Sequence, residues 1–230
     1  SITFPQNLLR LGDGCFQSCR KLSIIDFPQN IRLHYIGENA FSGSVIESVS
    51  IPQNVTIMHG AFSGCSELKR VEFMSNSKII SLDKAFSGTS ITSIEIPQTV
   101  TSIISAFSSS QIERITIPEN VIYTDSAFRY CRNLKRVDFS RNSKLTEIGR
   151  EAFADSFIEE ITIPSSIKCI GSYAFYRCKQ LRRVTFAPNS ELRYIKNDSF
   201  RESTISEINI PPNVEFTNGA FLNCPNFHLD

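Results

Sequence analysis

Apolar positions recur along this chain in one short pattern, apolar-x-x-apolar-x-apolar, closed three residues later by a small polar residue. One copy is Ile46, Val49, Ile51 and Asn54; others are Leu68, Val71, Phe73 and Asn76, then Leu134, Val137, Phe139 and Asn142, then Leu181, Val184, Phe186 and Asn189. The last two apolar positions of each copy are separated by one polar residue. That period of two predicts a short strand with one buried face. The closing position holds Asn7, Asn30, Asn54, Asn76, Thr99, Asn120, Asn142, Ser166, Asn189 and Asn213. A buried Asn there is expected to serve backbone groups left without partners where the chain turns. Pro52, Pro97, Pro118, Pro164 and Pro211 follow the last strand residue, where a missing N–H ends pairing.

A second series has the same period. It consists of Phe16, Phe41, Phe62, Phe86, Phe107, Phe128, Phe153, Phe175, Phe200 and Phe221, in steps of 21 to 25 residues. Ala precedes the Phe in eight of the ten cases, Cys15 and Ser199 being the exceptions. The Phe is predicted to close the far side of each turn as an apolar wedge, with Ala where backbones approach closely. The intervening segments are too short for long helices and predict brief 3₁₀ or single-turn pieces. One copy cannot bury its own face, so the copies must stack. The 230 residues are therefore about ten turns of 23 rather than one or two ordinary domains.

Ile-Pro-x-Asn-Val, then Ile-Gly-x-x-Ala-Phe, then Cys-x-x-Leu-x-x-Val-x-Phe together resemble the BspA-like, or Treponema-type, leucine-rich repeat family. Leu145, Ile148, Gly149, Ala152 and Phe153 match the middle part, and the resemblance runs over the whole chain. It implies an α/β repeat: a leucine-rich repeat solenoid over 1–230 with a concave parallel β-sheet and short 3₁₀ or irregular convex segments. It also implies a non-enzymatic protein-binding module of a cell-surface or secreted protein. Family members of bacteria and mucosal protozoa imply adhesion to host-cell or extracellular matrix proteins. The alternative is a structural solenoid that self-associates edge to edge, and a third is a positioning domain within a larger enzyme. Ile2, Thr3, Phe4 and Pro5 align with Val49, Ser50, Ile51 and Pro52, so the chain begins inside a strand. With no polar cap at either end, it reads as a segment of a longer protein.

Charge narrows the functions further. Lys plus Arg is 24 and Asp plus Glu is 23, giving a net charge of +1, which argues against nucleic-acid binding. No apolar run approaches the ~18 residues of a membrane span, so a membrane is reached only through segments outside this chain. His34, His59 and His228 lack metal-ligand spacing, and no phosphate loop or nucleophile elbow occurs. No catalytic residue, metal or cofactor is expected.

Five cysteines share one slot, Cys19, Cys65, Cys131, Cys178 and Cys224; other turns carry Ser44, Thr89, Ser110, Ser156 and Ser203 there. Slot cysteines are never in adjacent turns, so at ~4.8 Å per strand they lie roughly 10 Å apart, beyond disulfide reach. They should be reduced, buried and small apolar fillers. Cys15, in the Ala slot, should pack; Cys169, outside both patterns, is a candidate for exposure. Of two glycosylation sequons, Asn54 should be buried and Asn197 exposed.

The polar residues of each strand form columns across the stack. Basic pairs such as Lys69-Arg70, Lys135-Arg136 and Arg182-Arg183 alternate with Glu159-Glu160 and Ser206-Glu207. Arg136, Glu160, Arg183 and Glu207 should then form a ladder of opposite charges, each pair contributing ~0.2–1 kcal/mol. Alternation fails where Arg114 meets Arg136 and Glu72 meets Glu95. The candidate partner-binding residues are accordingly Arg70, Glu72, Glu95, Arg114, Arg136, Asp138, Glu160 and Arg183. The face lacks the Trp and Tyr anchors of tight interfaces, so weak repeated contacts with a protein ligand are expected.

Overall fold

The computed structural model describes residues 1–227; His228 lies outside them. The chain winds into a right-through stack of parallel strands, and no helix forms among the described residues. The concave ladder comprises β1 (Ile2–Thr3), β3 (Ile25–Asp26), β5 (Ser48–Ile51), β6 (Arg70–Phe73), β7 (Arg114–Ile117), β8 (Arg136–Phe139), β10 (Glu160–Ile163), β12 (Arg183–Phe186) and β14 (Glu207–Ile208). A flanking ladder comprises β2 (Arg10–Leu11), β4 (Tyr35–Ile36), β9 (Glu147–Ile148), β11 (Cys169–Ile170), β13 (Tyr194–Ile195) and β15 (Glu215–Phe216). Between β4 and β9 that ladder continues as single bridges at Ile57, Ser81, Ser102 and Tyr123. In β5 the period of two is plain: Val49 and Ile51 are buried, while Ser48 and Ser50 are exposed.

Phe is the spine of the stack. From Phe16 to Phe221 each ring stacks on the next, with centroids 4.9 to 6.1 Å apart and planes within 18°. Such pairs add ~0.5–1.5 kcal/mol beyond the area they bury. Eight of the rings are buried, and the first and last of the series, Phe16 and Phe221, are partly buried, Phe221 also meeting Phe227 at 4.5 Å with the planes tilted by 35°. The Ala residues before them are all buried.

Of the two expected forms, the convex side takes the irregular single-turn one. Its turns contain no 3₁₀ helix among the described residues, and the backbone shows why. The residues two before and two after every Phe are left-handed, for example Asn39 and Gly43 around Phe41, or Tyr173 and Arg177 around Phe175. Each reversal turns an N–H along the stack. Asn39, Phe41 and Gly43 donate to the carbonyls of His59, Ala61 and Ser63 in the next turn, at 3.1, 2.8 and 2.9 Å. All nine steps repeat this triple bond in the same direction. A continuous 3₁₀ run would spend those N–H groups inside its own turn.

The Asn series also needs correction. Asn30, Asn76, Asn189 and Asn213 are exposed with φ of 57 to 62°, and Asn54 is only half-buried. Asn tolerates left-handed backbone better than most residues, which accounts for these four, whereas the half-buried Asn120 is not left-handed and donates from Nδ2 to Gln98 O of the previous turn at 2.8 Å. Where Thr99 and Ser166 replace it, their hydroxyls each donate at 2.7 Å to a carbonyl of the previous turn, Ile79 and Leu145 respectively.

The cysteine slot is buried at Cys65, Cys131, Cys178 and Cys224, and all seven cysteines are free. Each of these four thiols donates to the carbonyl of the series Phe one turn back (Phe41, Phe107, Phe153 and Phe200 respectively), at 2.9 to 3.1 Å. Each also contacts the slot serine of the previous turn, as Cys65 Sγ does Ser44 Oγ at 3.3 Å. Burial pushes the Cys131 and Cys178 thiols up to about 12. Three expectations fail: Cys15 is exposed, Cys19 in the slot is only half-buried, and Cys169 is buried. Among the described residues no turn covers Cys15 and Cys19 on their outer side. Cys169 is flanked in register by Glu147, and Lys196 Nζ reaches over it to Glu147 Oε1 at 2.9 Å.

Candidate concave interaction surface

The eight candidate residues all point out of the concave ladder; seven are exposed and Asp138 is half-buried. Arg114 and Arg136 are direct partners in the β7–β8 register, as the columns require. Arg136 escapes its neighbour by turning along its own strand. Its guanidinium grips Asp138 with Nε at 3.0 and 2.9 Å from the two carboxylate oxygens. Arg114 is left without an ion-pair partner among the described residues.

The alternating ladder is only partly realised. Glu160 is in register with Arg183, but the ion pair forms on the other side, between Arg183 Nε and Glu207 at 2.6 Å. The Arg183 hydrogen bond holds the Glu207 carboxyl below the usual carboxylate range. Arg136 pairs with Asp138, not with Glu160. Arg uses a bidentate carboxylate within its own strand in preference to a monodentate one across the sheet.

The concave ladder is not one sheet. Pairing stops after β6, resumes at β7–β8, stops again, and resumes at β10–β12–β14. The stretch 92–97 continues the apolar alternation yet forms no strand. Glu72 and Glu95 are therefore not register partners, and both line one hollow of the concave face. Hollows run along this face. One of about 1200 Å³ lies between β6 and residues 92–99, with Arg70, Glu72 and Glu95 in its walls. A second, of about 530 Å³, lies on the other side of Glu95 and includes Arg114 and Asp138. A third, also about 530 Å³, lies over β8, β10 and the start of β12 and gathers Arg136, Asp138, Glu160 and Arg183. The candidates thus form a chain of three neighbouring clefts; Arg70 and Arg183 stand five strands apart, roughly 24 Å at the usual strand spacing.

Periodicity gave no sign of the interruptions. The one available signal is the spacing of the Phe series, where two short steps of 21 residues follow one another at Phe86, Phe107 and Phe128. Among the described residues no group of three or more His, Cys, Asp or Glu side chains is placed to hold a metal ion. No helix is long and apolar enough to cross a membrane.

Comparison with known proteins agrees with this geometry. The family model described as the BspA type leucine rich repeat region matches in six copies, over residues 1–106 and 103–228. Three solved structures share the fold. A leucine-rich repeat protein from Bacteroides ovatus is 23% identical, with a TM-score of 0.67, covering 97% of this chain and 58% of that one. This chain thus spans less than two thirds of that protein's length. The pneumococcal vaccine antigen PcpA is 20% identical, with a TM-score of 0.56, over 93% of this chain and 72% of its own. A leucine-rich repeat protein from Eubacterium ventriosum is 18% identical, with a TM-score of 0.53, over 96% and 75%. No curated protein matches at a significant level.

Proposed function

The chain belongs to the BspA-type leucine-rich repeat family, and from that premise we propose that it is a non-enzymatic protein-binding module of a cell-surface or secreted protein. Its target is a host-cell or extracellular matrix protein, and its contact surface is the concave face. The family is typically a binding fold rather than a catalytic one.

The observation that carries this reading is the Arg114–Arg136 register pair. Two cations face each other on neighbouring strands, and one of them has no acid to turn to. Like charges opposite one another destabilise a sheet. A bound acidic group offsets that cost. Around them Arg70, Glu72, Glu95, Asp138, Glu160 and Arg183 offer both signs of charge along a wide surface, which suits repeated weak contacts.

The test is a binding screen against immobilised matrix proteins and host-cell surfaces, followed by the double variant Arg114→Glu, Arg136→Glu. A ligand found this way should lose at least tenfold in affinity. Unchanged affinity removes the site assignment. A second reading, edge-to-edge association of two copies, draws on the partial exposure of Phe16 and Phe221 in the first and last described turns; sedimentation across a concentration series tests it.

A further inference from the structure

The convex rim changes character along the stack. The residues two before and two after each Phe are left-handed, and in the first five turns these ten slots hold five Gly, three Ser, one Asn and one Lys. In the next four turns the eight slots hold no Gly. Tyr130, Glu151, Tyr173, Arg177 and Glu202 are left-handed there, with φ of 54 to 60°. Such backbone is costly for an L-residue with a large side chain and free for Gly. Gly43, Gly64 and Gly88 show that the fold accepts Gly in the slot of Tyr130 and Arg177; Gly14, Gly60 and Gly219 show the same for Tyr173. Strain held where the fold offers an unstrained residue points to a use for the side chain.

These side chains lock one another. Arg129 stacks on Tyr130 and Arg177 on Tyr176, at 4.7 and 4.9 Å from the ring centroids, and Arg150 on Tyr173 at 5.7 Å. Tyr173 and Tyr176 meet edge to face at 5.7 Å. Glu151 is shared by Arg129 and Arg150, at 2.6 and 3.3 Å. Glu202 is shared by Arg177, Lys179 and Arg201, at 2.9, 3.9 and 3.6 Å. The acids lie beneath: the Glu151 and Glu202 side chains are 18 and 23% exposed, against 36 to 67% for the five cations. Asp125, Asp155 and Asp198, the other acids of these turns, are half-buried as well. The outer layer is therefore basic and aromatic, although the whole chain carries a net charge of only +1. Tyr and Arg dominate the energetics of protein interfaces, and side chains already fixed lose little freedom on binding.

We propose that the convex rim from Arg129 to Glu202 is a second interaction surface, which takes an acidic segment of a partner protein bearing aromatic side chains. It lies on the side of the stack away from the concave face and works independently of it. Carboxylates of the segment bond the outer guanidinium groups, and its rings lie against Tyr130, Tyr173 and Tyr176. A protein segment fits better than a polyanion. Each rim cation is already tied to an acid, so the rim offers fixed donors and ring faces rather than the dense unpaired charge on which a nucleic acid or sulfated glycan depends. The turn of Phe128 and that of Phe200 are three steps apart, roughly 14 Å, which four extended residues span.

The probe is a dye-labelled peptide, Glu-Phe-Asp-Glu-Phe-Asp, titrated with the intact chain and followed by fluorescence anisotropy. The peptide Lys-Phe-Lys-Lys-Phe-Lys and a labelled heparin oligosaccharide are the controls. Two variants carry residues the fold itself uses in the same slots. One combines Tyr130→Gly, Tyr173→Gly and Arg177→Gly; the other is Arg150→Ser, after Ser172 in the next turn. Both should keep the wild-type urea midpoint and bind the acidic peptide at least tenfold more weakly. No binding of that peptide to the wild type, equal binding of the lysine peptide, or tighter binding of heparin would each overturn the surface. Undiminished binding in both variants would overturn it too, and a lowered urea midpoint alongside would assign these side chains to stability instead. The Arg114→Glu, Arg136→Glu variant should bind the peptide as the wild type does while losing its matrix or host ligand, so each surface stands or fails alone.

Discussion

Replacing Gly149 by Ala should cost far more than the same change at Gly64, although Gly64 is the glycine with the unusual backbone. At Gly64 φ is +69°, and a new Cβ would meet nothing closer than 3.7 Å, from Gly43 N. The penalty there is conformational: left-handed backbone costs an L-residue ~1–2 kcal/mol, offset by ~0.4–1 kcal/mol of lost unfolded-state freedom. A net loss of about 1 kcal/mol is expected. At Gly149 a Cβ would sit 2.6 Å from Asp125 N and 2.9 Å from both Asp125 Cα and Thr124 C. Those are backbone atoms of the previous turn, so no side chain can swing aside. Overpacking of this kind costs ~1–3 kcal/mol. The same movement strains the bonds from Gly149 N to Thr124 Oγ1 and from Arg150 N to Asp125 Oδ1, both 3.0 Å. Adding ~0.5–1.5 kcal/mol for a weakened bond gives about 2–4 kcal/mol in all. Urea unfolding followed by far-ultraviolet circular dichroism measures both variants. Equal losses at the two positions would refute the claim that turn-to-turn contact, not φ, selects Gly in the Ile-Gly motif.

Two more outcomes follow from the spine and the cysteine slot. Phe107→Ala, which removes a fully buried ring stacked on both sides, should cost about 3–5 kcal/mol; Phe16→Ala at the one-sided end should cost about half as much, and similar urea midpoints for the two would contradict the stacked-spine account. A thiol reagent should label Cys15 and Cys19 in the native protein and the other five only on unfolding, with rapid native labelling of Cys131 as the adverse result. Because the folded Cys131 and Cys178 thiols titrate at about 12, above the ordinary 9.0, their contribution is complete below pH 9 and is lost as pH rises toward 12. Stability should fall across that window, and Cys131→Ser should flatten the fall.

The repeat, the parallel ladder and the buried Phe wedges were legible because each rests on side-chain periodicity, which a stack repeats ten times over. Conformational features were not. Tyr130 and Arg177 adopt left-handed backbone in the slot where other turns carry Gly43, Gly64 or Gly88, and Glu151 does so in the slot of Gly14, Gly60 and Gly219, and nothing about Tyr, Arg or Glu as residue types announces it. The Asn series was visible but misassigned, because Asn suits both a buried network and a left-handed turn. The charged columns placed Arg114 beside Arg136 correctly. They could not reveal that the sheet opens beside Glu95, since the sequence Ser93-Ile94-Glu95-Ile96 alternates as well as any paired strand. Cys169 illustrates a longer reach: its cover comes from Glu147 and Lys196, a turn away on either side.

The one-way hydrogen bonds of the convex rim give the stack an electrical polarity. In every step the N–H groups point toward the next turn and the carbonyls toward the previous one. Peptide dipoles aligned in this way add as they do along a helix, although no helix is present. Any stack built this way ends in a row of acceptors on one face and a row of donors on the other. Two such stacks can satisfy each other only head to tail, since acceptors cannot bond acceptors. Such a contact is heterologous and does not close into a twofold dimer.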